Sequence, residues 1–180
     1  MLKGKIQSDL LAAVKKREEF SPSVLRLLLA AIFNKGKEKR YKLSKQKPEL
    51  EEEELEKESQ LTDEEVIEVI SSEIKKKKEA IFLFEKGLQP TIHPSRKKHI
   101  VDLVEKEKRA VEILQTYLPK QLSEEEIKKL VEEVIEKVEA KELKDTGKVM
   151  AELMPKVKGR AEGGLVSKIV KELLTPKETT

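Results

Sequence analysis

The sequence predicts an all-α protein, an N-terminal helical bundle followed by a small three-helix tail. Three observations carry this. Apolar residues recur at spacings of three and four along most of the 180 residues. Between them stand long charged residues with good helix propensity, 41% of the chain against 37% hydrophobic. Gly and Pro, which disfavour helix interiors, are few, 7 of each. Aromatic residues are scarce and Trp is absent, so the cores must be built from Leu, Ile and Val on narrow helical stripes.

Leu2, Ile6, Leu10 and Ala13 mark the first helix, expected to end near Phe20. Ser21-Pro22 reads as an N-cap followed by proline at the first helical position. Leu25, Leu28, Leu29, Ile32 and Phe33 continue a second helix that fades by Lys39-Arg40. From Tyr41 to Gln60 the pattern is lost in a lysine-rich stretch, Pro48 and the run Glu51-Glu52-Glu53-Glu54. Such a segment buries too little to offset its ordering entropy. Residues 41–60 are expected to be a charged, mobile insertion, in preference to a solvent-exposed helical extension in which the glutamates form i,i+4 pairs with Lys57. Thr62-Asp63-Glu64-Glu65 is a capping box opening a helix through Val66, Ile67, Ile70, Ile74, Ile81 and Phe84, closed by Gly87 in the left-handed region. Leu88 to Ser95 reads as a loop with Pro90 and Pro94. A further helix runs from about Arg96 through Ile100, Leu103, Val104, Val111, Leu114 and Leu118 to Pro119. These elements form the N-terminal domain, residues 1–118.

The tail, residues 119–180, opens with a second capping box at Ser123-Glu124-Glu125-Glu126, ahead of Ile127, Leu130, Val131, Val134, Ile135 and Val138. Asp145 is placed to cap a short helix through Val149, Met150, Leu153 and Met154, ended by Pro155. Lys156 to Gly164 follows as a glycine-rich basic loop. Leu165, Val166, Ile169, Val170, Leu173 and Leu174 make the last helix.

Composition narrows the classes of function. No apolar run approaches the ~20 residues that cross a bilayer, and Met1-Leu2-Lys3-Gly4 lacks the apolar stretch of a signal peptide. The expectation is a cytoplasmic protein with no membrane partner. Without Cys there are no disulfides and no thiolate metal sites. The net charge of +3 is a small difference between 38 bases and 35 acids, so only the distribution of charge is informative.

Most candidate chemistry dissolves on inspection. His93 and His99 would sit roughly 120° apart on a helix and cannot converge on a metal, so neither a metal site nor a cofactor is expected. Ser72-Glu73-Ile74-Lys75 has the S-x-x-K spelling of a lysine-activated serine, but Lys75 begins a lysine run and Ser72 lies on the polar side of its helix. The glutamate clusters are explained by salt bridges on helix faces, and no catalytic residue is expected. One stretch stands out, Gly147 to Arg160, where Lys148, Lys156, Lys158 and Arg160 outnumber the single acid, Glu152. Either a phosphate-binding surface or a tight interhelical turn with solvated lysines fits that spacing. With no aromatic residue there, recognition would be of backbone and shape.

Tyr117-Leu118-Pro119-Lys120-Gln121-Leu122-Ser123, then Gly147-Lys148-Val149-Met150 and Met154-Pro155-Lys156-Val157-Lys158-Gly159-Arg160-Ala161, resemble the GatB/YqeY family. Its members are small bacterial proteins similar to the helical and tail domains of the B subunit of glutamine-dependent tRNA amidotransferase. The resemblance runs from Leu2 to Leu174 outside the insertion. Two departures are visible: Glu162 where the family commonly has Asp after Arg-Ala, and Gly87-Leu88-Gln89-Pro90 where it tends to Gly-Arg-x-Asp-Leu. The resemblance implies a non-catalytic accessory protein that binds tRNA or other RNA through Lys148, Lys156, Lys158 and Arg160. It also implies an alternative, a subunit or regulator in a complex with glutamine-dependent carbon–nitrogen ligase activity, with amidotransferase subunits as partners. Apart from the resemblance, the charged insertion or the basic turn leaves a protein-interaction scaffold as a further alternative. The family's ATP-using, ammonia-receiving and glutaminase regions have no counterpart in this chain.

Overall fold

The computed structural model describes residues 1–88 and 93–175. Among them the secondary structure is entirely helical: α1 (Leu2–Lys15), α2 (Ser21–Gln46), α3 (Glu52–Glu58), α4 (Asp63–Lys86), α5 (Pro94–Gln115), α6 (Glu124–Lys137), a 3-10 turn (Leu143–Asp145), α7 (Thr146–Val157) and α8 (Gly163–Leu174). The chain packs as two compact units, Met1–Leu118 and Pro119 onward.

In the first unit α1, α2, α4 and α5 share one core. The apolar stripes meet there as Ile6, Leu25, Leu28, Ile32, Val66, Ile70, Ile74, Val111 and Leu114, all buried. Each fully buried Leu or Ile contributes ~1.5–3 kcal/mol. Tyr117 closes one end: its hydroxyl donates to Asp9 Oδ2 (2.9 Å). Burial and that carboxylate push the phenol well above its usual range. The capping box at Thr62 forms as the sequence predicts, Glu65 N–H donating to Thr62 Oγ1 (3.2 Å) and Thr62 N–H to Glu65 Oε2 (2.8 Å).

Several boundaries differ from the sequence reading, and each has a local cause. α1 stops at Lys15 because Arg17 takes a left-handed φ of 56°, with Glu18 N–H donating to Ala13 O and Arg17 N–H to Val14 O. That is a Schellman closure without glycine. Ser21 is the first residue of α2 rather than its cap, and Phe20 takes the cap position. Gly87 is right-handed (φ −71°), not left-handed; a Cβ there would approach Phe84 O to 3.2 Å. α5 starts at Pro94, where His93 Nδ1 accepts from Ser95 N–H (3.4 Å), and ends at Gln115, ahead of Pro119. The middle of the Leu88–Ser95 loop, with Gln89 and Pro90 of the second family departure, lies outside the described residues.

The largest correction concerns residues 41–60. α2 does not fade at Lys39-Arg40 but continues to Gln46, and the glutamate run is α3, not a loop. Opposite charges align across the intervening turn: Arg40 with Glu52 (2.8 Å) and Lys47 with Glu58 (2.7 Å). Lys39 adds a hydrogen bond to Gln60 O (3.1 Å) and an ion pair with Glu65 (2.8 Å). The sequence reading also assigns Phe33 to the core, yet its side chain is exposed.

The second unit encloses its own core. α6 contributes Ile127, Val131 and Val134, α7 contributes Val149, Leu153 and Val157, and α8 contributes Val166, Ile169, Val170 and Leu174. α6 ends as α1 does, at a left-handed non-glycine residue, Glu139 (φ 53°), with Ala140 N–H donating to Ile135 O (3.1 Å). Pro155 does not stop α7; it sits within the last turn and the helix runs on to Val157. Asp145 places no side-chain cap on α7. Its carboxylate accepts from Lys141 N–H (3.1 Å) and Glu142 N–H (3.4 Å) and so folds the 3-10 turn.

Candidate nucleic-acid interface

α7 fixes the basic residues by its apolar side. With Val149, Leu153 and Val157 sunk in the core, Lys148 and Lys156 must point outward. Lys148 is drawn to Asp145 (3.2 Å), whose carboxylate is held below its usual range first by Lys141 N–H, then by Lys148 and Glu142 N–H. Glu152, the one acid between the two lysines, is engaged by Lys137, which holds its carboxyl low; Lys156 adds a smaller effect.

After Val157 the chain turns sharply. Arg160 N–H and Ala161 N–H both donate to Val157 O (2.9 and 3.0 Å). Lys158 lies at φ −55°, ψ 121° and Gly159 at φ 70°. This is a type II turn, whose third position needs a positive φ and therefore glycine. The loop expected over Lys156–Gly164 is thus only Lys158–Glu162, since Lys156 belongs to α7 and Gly163 to α8.

A second segment is tied to this turn. Leu122 N–H donates to Arg160 O (2.8 Å), and the Gln121 amide donates to Gly159 O (2.7 Å) and Pro119 O (3.0 Å). Two of the three stretches quoted for the family resemblance, the first and the last, therefore hold each other in place. This brings in a cation that sequence reasoning missed, Lys120. The carboxyl of Glu126 is held below its usual range first by Ser123 N–H (2.7 Å), and the charges of both Lys120 and Arg160 add to the effect. Only the hydrogen bonds between segments far apart in sequence reveal Lys120, so spacing could not have shown it.

Of the four residues singled out by sequence, Lys156, Lys158 and Arg160 are gathered at one turn. Lys148 lies eight residues earlier on α7, ~12 Å along the axis, and is already paired. Among the described residues Lys120, Lys156 and Arg160 have no carboxylate within 4 Å of their charged groups, and all three residues are exposed. Lys158 is half-buried and interacts with a neighbour. Beyond the turn, Glu162 precedes α8 and makes no side-chain cap there. Aspartate's shorter arm suits that position better.

The other candidates stay apart. Lys75 lies 3.9 Å from Glu79, and Ser72 is exposed. No group of three or more His, Cys, Asp or Glu among the described residues is arranged to hold a metal ion. No helix there is long and apolar enough to cross a membrane.

Comparison with known families matches residues 34–174 to the Yqey-like protein family. The chain belongs to that family. The match takes in both segments of the tail turn. It begins at Asn34 rather than at Leu2, so α1 and the first half of α2 lie outside it. No curated protein matches the chain.

Proposed function

We propose that this Yqey-like protein is a non-catalytic accessory protein of the cytoplasm that binds tRNA or a related structured RNA through its tail. The observation that supports this most is the set of cations Lys120, Lys156 and Arg160 around the glycine turn, unpaired among the described residues, with Lys158 between them. A turn lets the backbone come close to a phosphate while cations on either side supply the charge. No aromatic residue stands in the turn, so the interface reads backbone and shape, as in a folded RNA. The resemblance of these segments to an amidotransferase tail domain favours tRNA among structured RNAs.

The test is the salt dependence of tRNA binding by the full chain. Changing Lys120, Lys156 and Arg160 together to Gln leaves up to three phosphates without a cation. The slope of log K against log salt should then fall by ~0.7–0.9 for each phosphate no longer neutralised. An unchanged slope would remove the turn as the RNA surface.

A further inference from the structure

α2 is strongly unbalanced in charge. It carries seven Lys and Arg residues against one acid, Glu38, in a chain whose totals nearly cancel. Three of the seven are matched locally: Lys35 by Glu38 (3.6 Å), Lys39 by Glu65 and Arg40 by Glu52. Among the described residues Arg26, Lys37, Lys42 and Lys45 have no carboxylate within 4 Å.

Two of these lysines lie over exposed rings. Lys37 Nζ is 4.7 Å from the centroid of Phe33, and Lys45 Nζ is 4.5 Å from that of Tyr41. The rings are 58% and 62% exposed, in a chain with only six aromatic residues. Positions 33, 37, 41 and 45 climb α2 in steps of four, so ring and cation alternate along one stripe of about 18 Å. Glu38 is turned about 100° away from Lys37. Beside Phe33 lies a cleft of about 440 Å³ whose lining includes Lys3, Gly4, Gly36 and Lys37, and a Cβ at either glycine would meet nothing within 4 Å. Asp63 also lines it, but its carboxylate accepts from Leu2 N–H (2.8 Å).

We infer that this stripe of α2 is a platform for unpaired nucleotides of single-stranded RNA, with bases on Phe33 and Tyr41 and phosphates on Lys37, Lys45 and Arg26. A nucleotide presents an aromatic face and an anion, and the stripe offers a ring and a cation at each step. A membrane surface fits less well, because the stripe lacks the broad aliphatic face that an interfacial helix buries. The inference shares the RNA-binding reading but uses neither the tail turn nor any of its residues.

The test uses the full chain, a labelled oligo(U) strand and a blunt RNA duplex. Phe33→Ala and Tyr41→Ala should each weaken oligo(U) binding by about tenfold and leave duplex binding within about twofold. Phe33→Tyr and Tyr41→Phe should bind as the parent does. Thermal melts check that the exposed-ring variants remain folded. Oligo(U) binding that is absent in the parent, or unchanged in the double alanine variant, overturns the platform. So does an equal loss on the duplex, or competition by poly-glutamate that is insensitive to the rings. The Lys120, Lys156 and Arg160 variant separates the two surfaces: intact tRNA binding there with ring-dependent oligo(U) binding refutes the tail and leaves α2 standing.

Discussion

Arg17 and Glu139 stand at left-handed positions where helix ends usually place glycine (φ 56° and 53°). An L-residue with a Cβ pays ~1–2 kcal/mol for that conformation. Glycine avoids the strain but gives back ~0.5–1 kcal/mol through the greater freedom of its unfolded chain. The strain is the larger quantity, so Arg17→Gly and Glu139→Gly should each raise stability by about 0.5–1 kcal/mol in urea unfolding. A loss of stability in both would show that the side chains, not the backbone, matter there. These two residues also explain why helix ends were hard to read in the sequence. The hydrogen bonds of a Schellman closure form with no glycine to announce them, whereas Gly87, which does look like a closing residue, is right-handed.

At the scale of elements, stripes of apolar residues were legible and surface partners were not. The buried positions of α4, α6 and α8 follow the three-and-four spacing closely. Phe33 shows the limit of that rule: it lies one residue, about 100°, round from buried Ile32 and falls off the margin of the core. α3 was legible only as the less favoured alternative because nothing in it is buried, and its order depends on charges matched to α2 across Lys47–Glu51. Exposed ion pairs contribute ~0–1 kcal/mol each, and seven residues are too few for a helix to persist alone. α3 should therefore open nearly freely: in hydrogen exchange its amides should lose protection well before those of α2 and α4, and sooner still as salt is raised. Protection of residues 52–58 equal to that of α4 would contradict this account. The basic turn has the same split. Lys156, Lys158 and Arg160 are neighbours in sequence, but Lys120 joins them only through bonds made by Gln121 and Leu122.

For the molecule as a whole, each unit encloses its own core, and we propose that each folds on its own. Acid should then distinguish them. In the first unit the Glu65 carboxyl is raised by burial, but Lys39 and Thr62 outweigh this and bring it below its usual range. In the second, Glu126, Asp145 and Glu152 are all held low, by Ser123 N–H, Lys141 N–H and Lys137 respectively. A carboxyl whose folded pKa is depressed adds stability that is complete above its unfolded value, about 4, and is lost as pH falls through the folded one. Between these limits the unfolded chain binds more protons than the native one, so stability must decline with acid. Three such groups in a unit of roughly sixty residues, against one in the larger unit, make the tail the more acid-sensitive part. Calorimetry from pH 7 to 3 should show two transitions, with the one belonging to residues 119–175 moving further down in temperature. Glu126→Gln and Glu152→Gln should flatten that movement. One transition that shifts as a unit, or a tail that holds its melting temperature at pH 3, would mean that these carboxylates are not what couples the fold to pH.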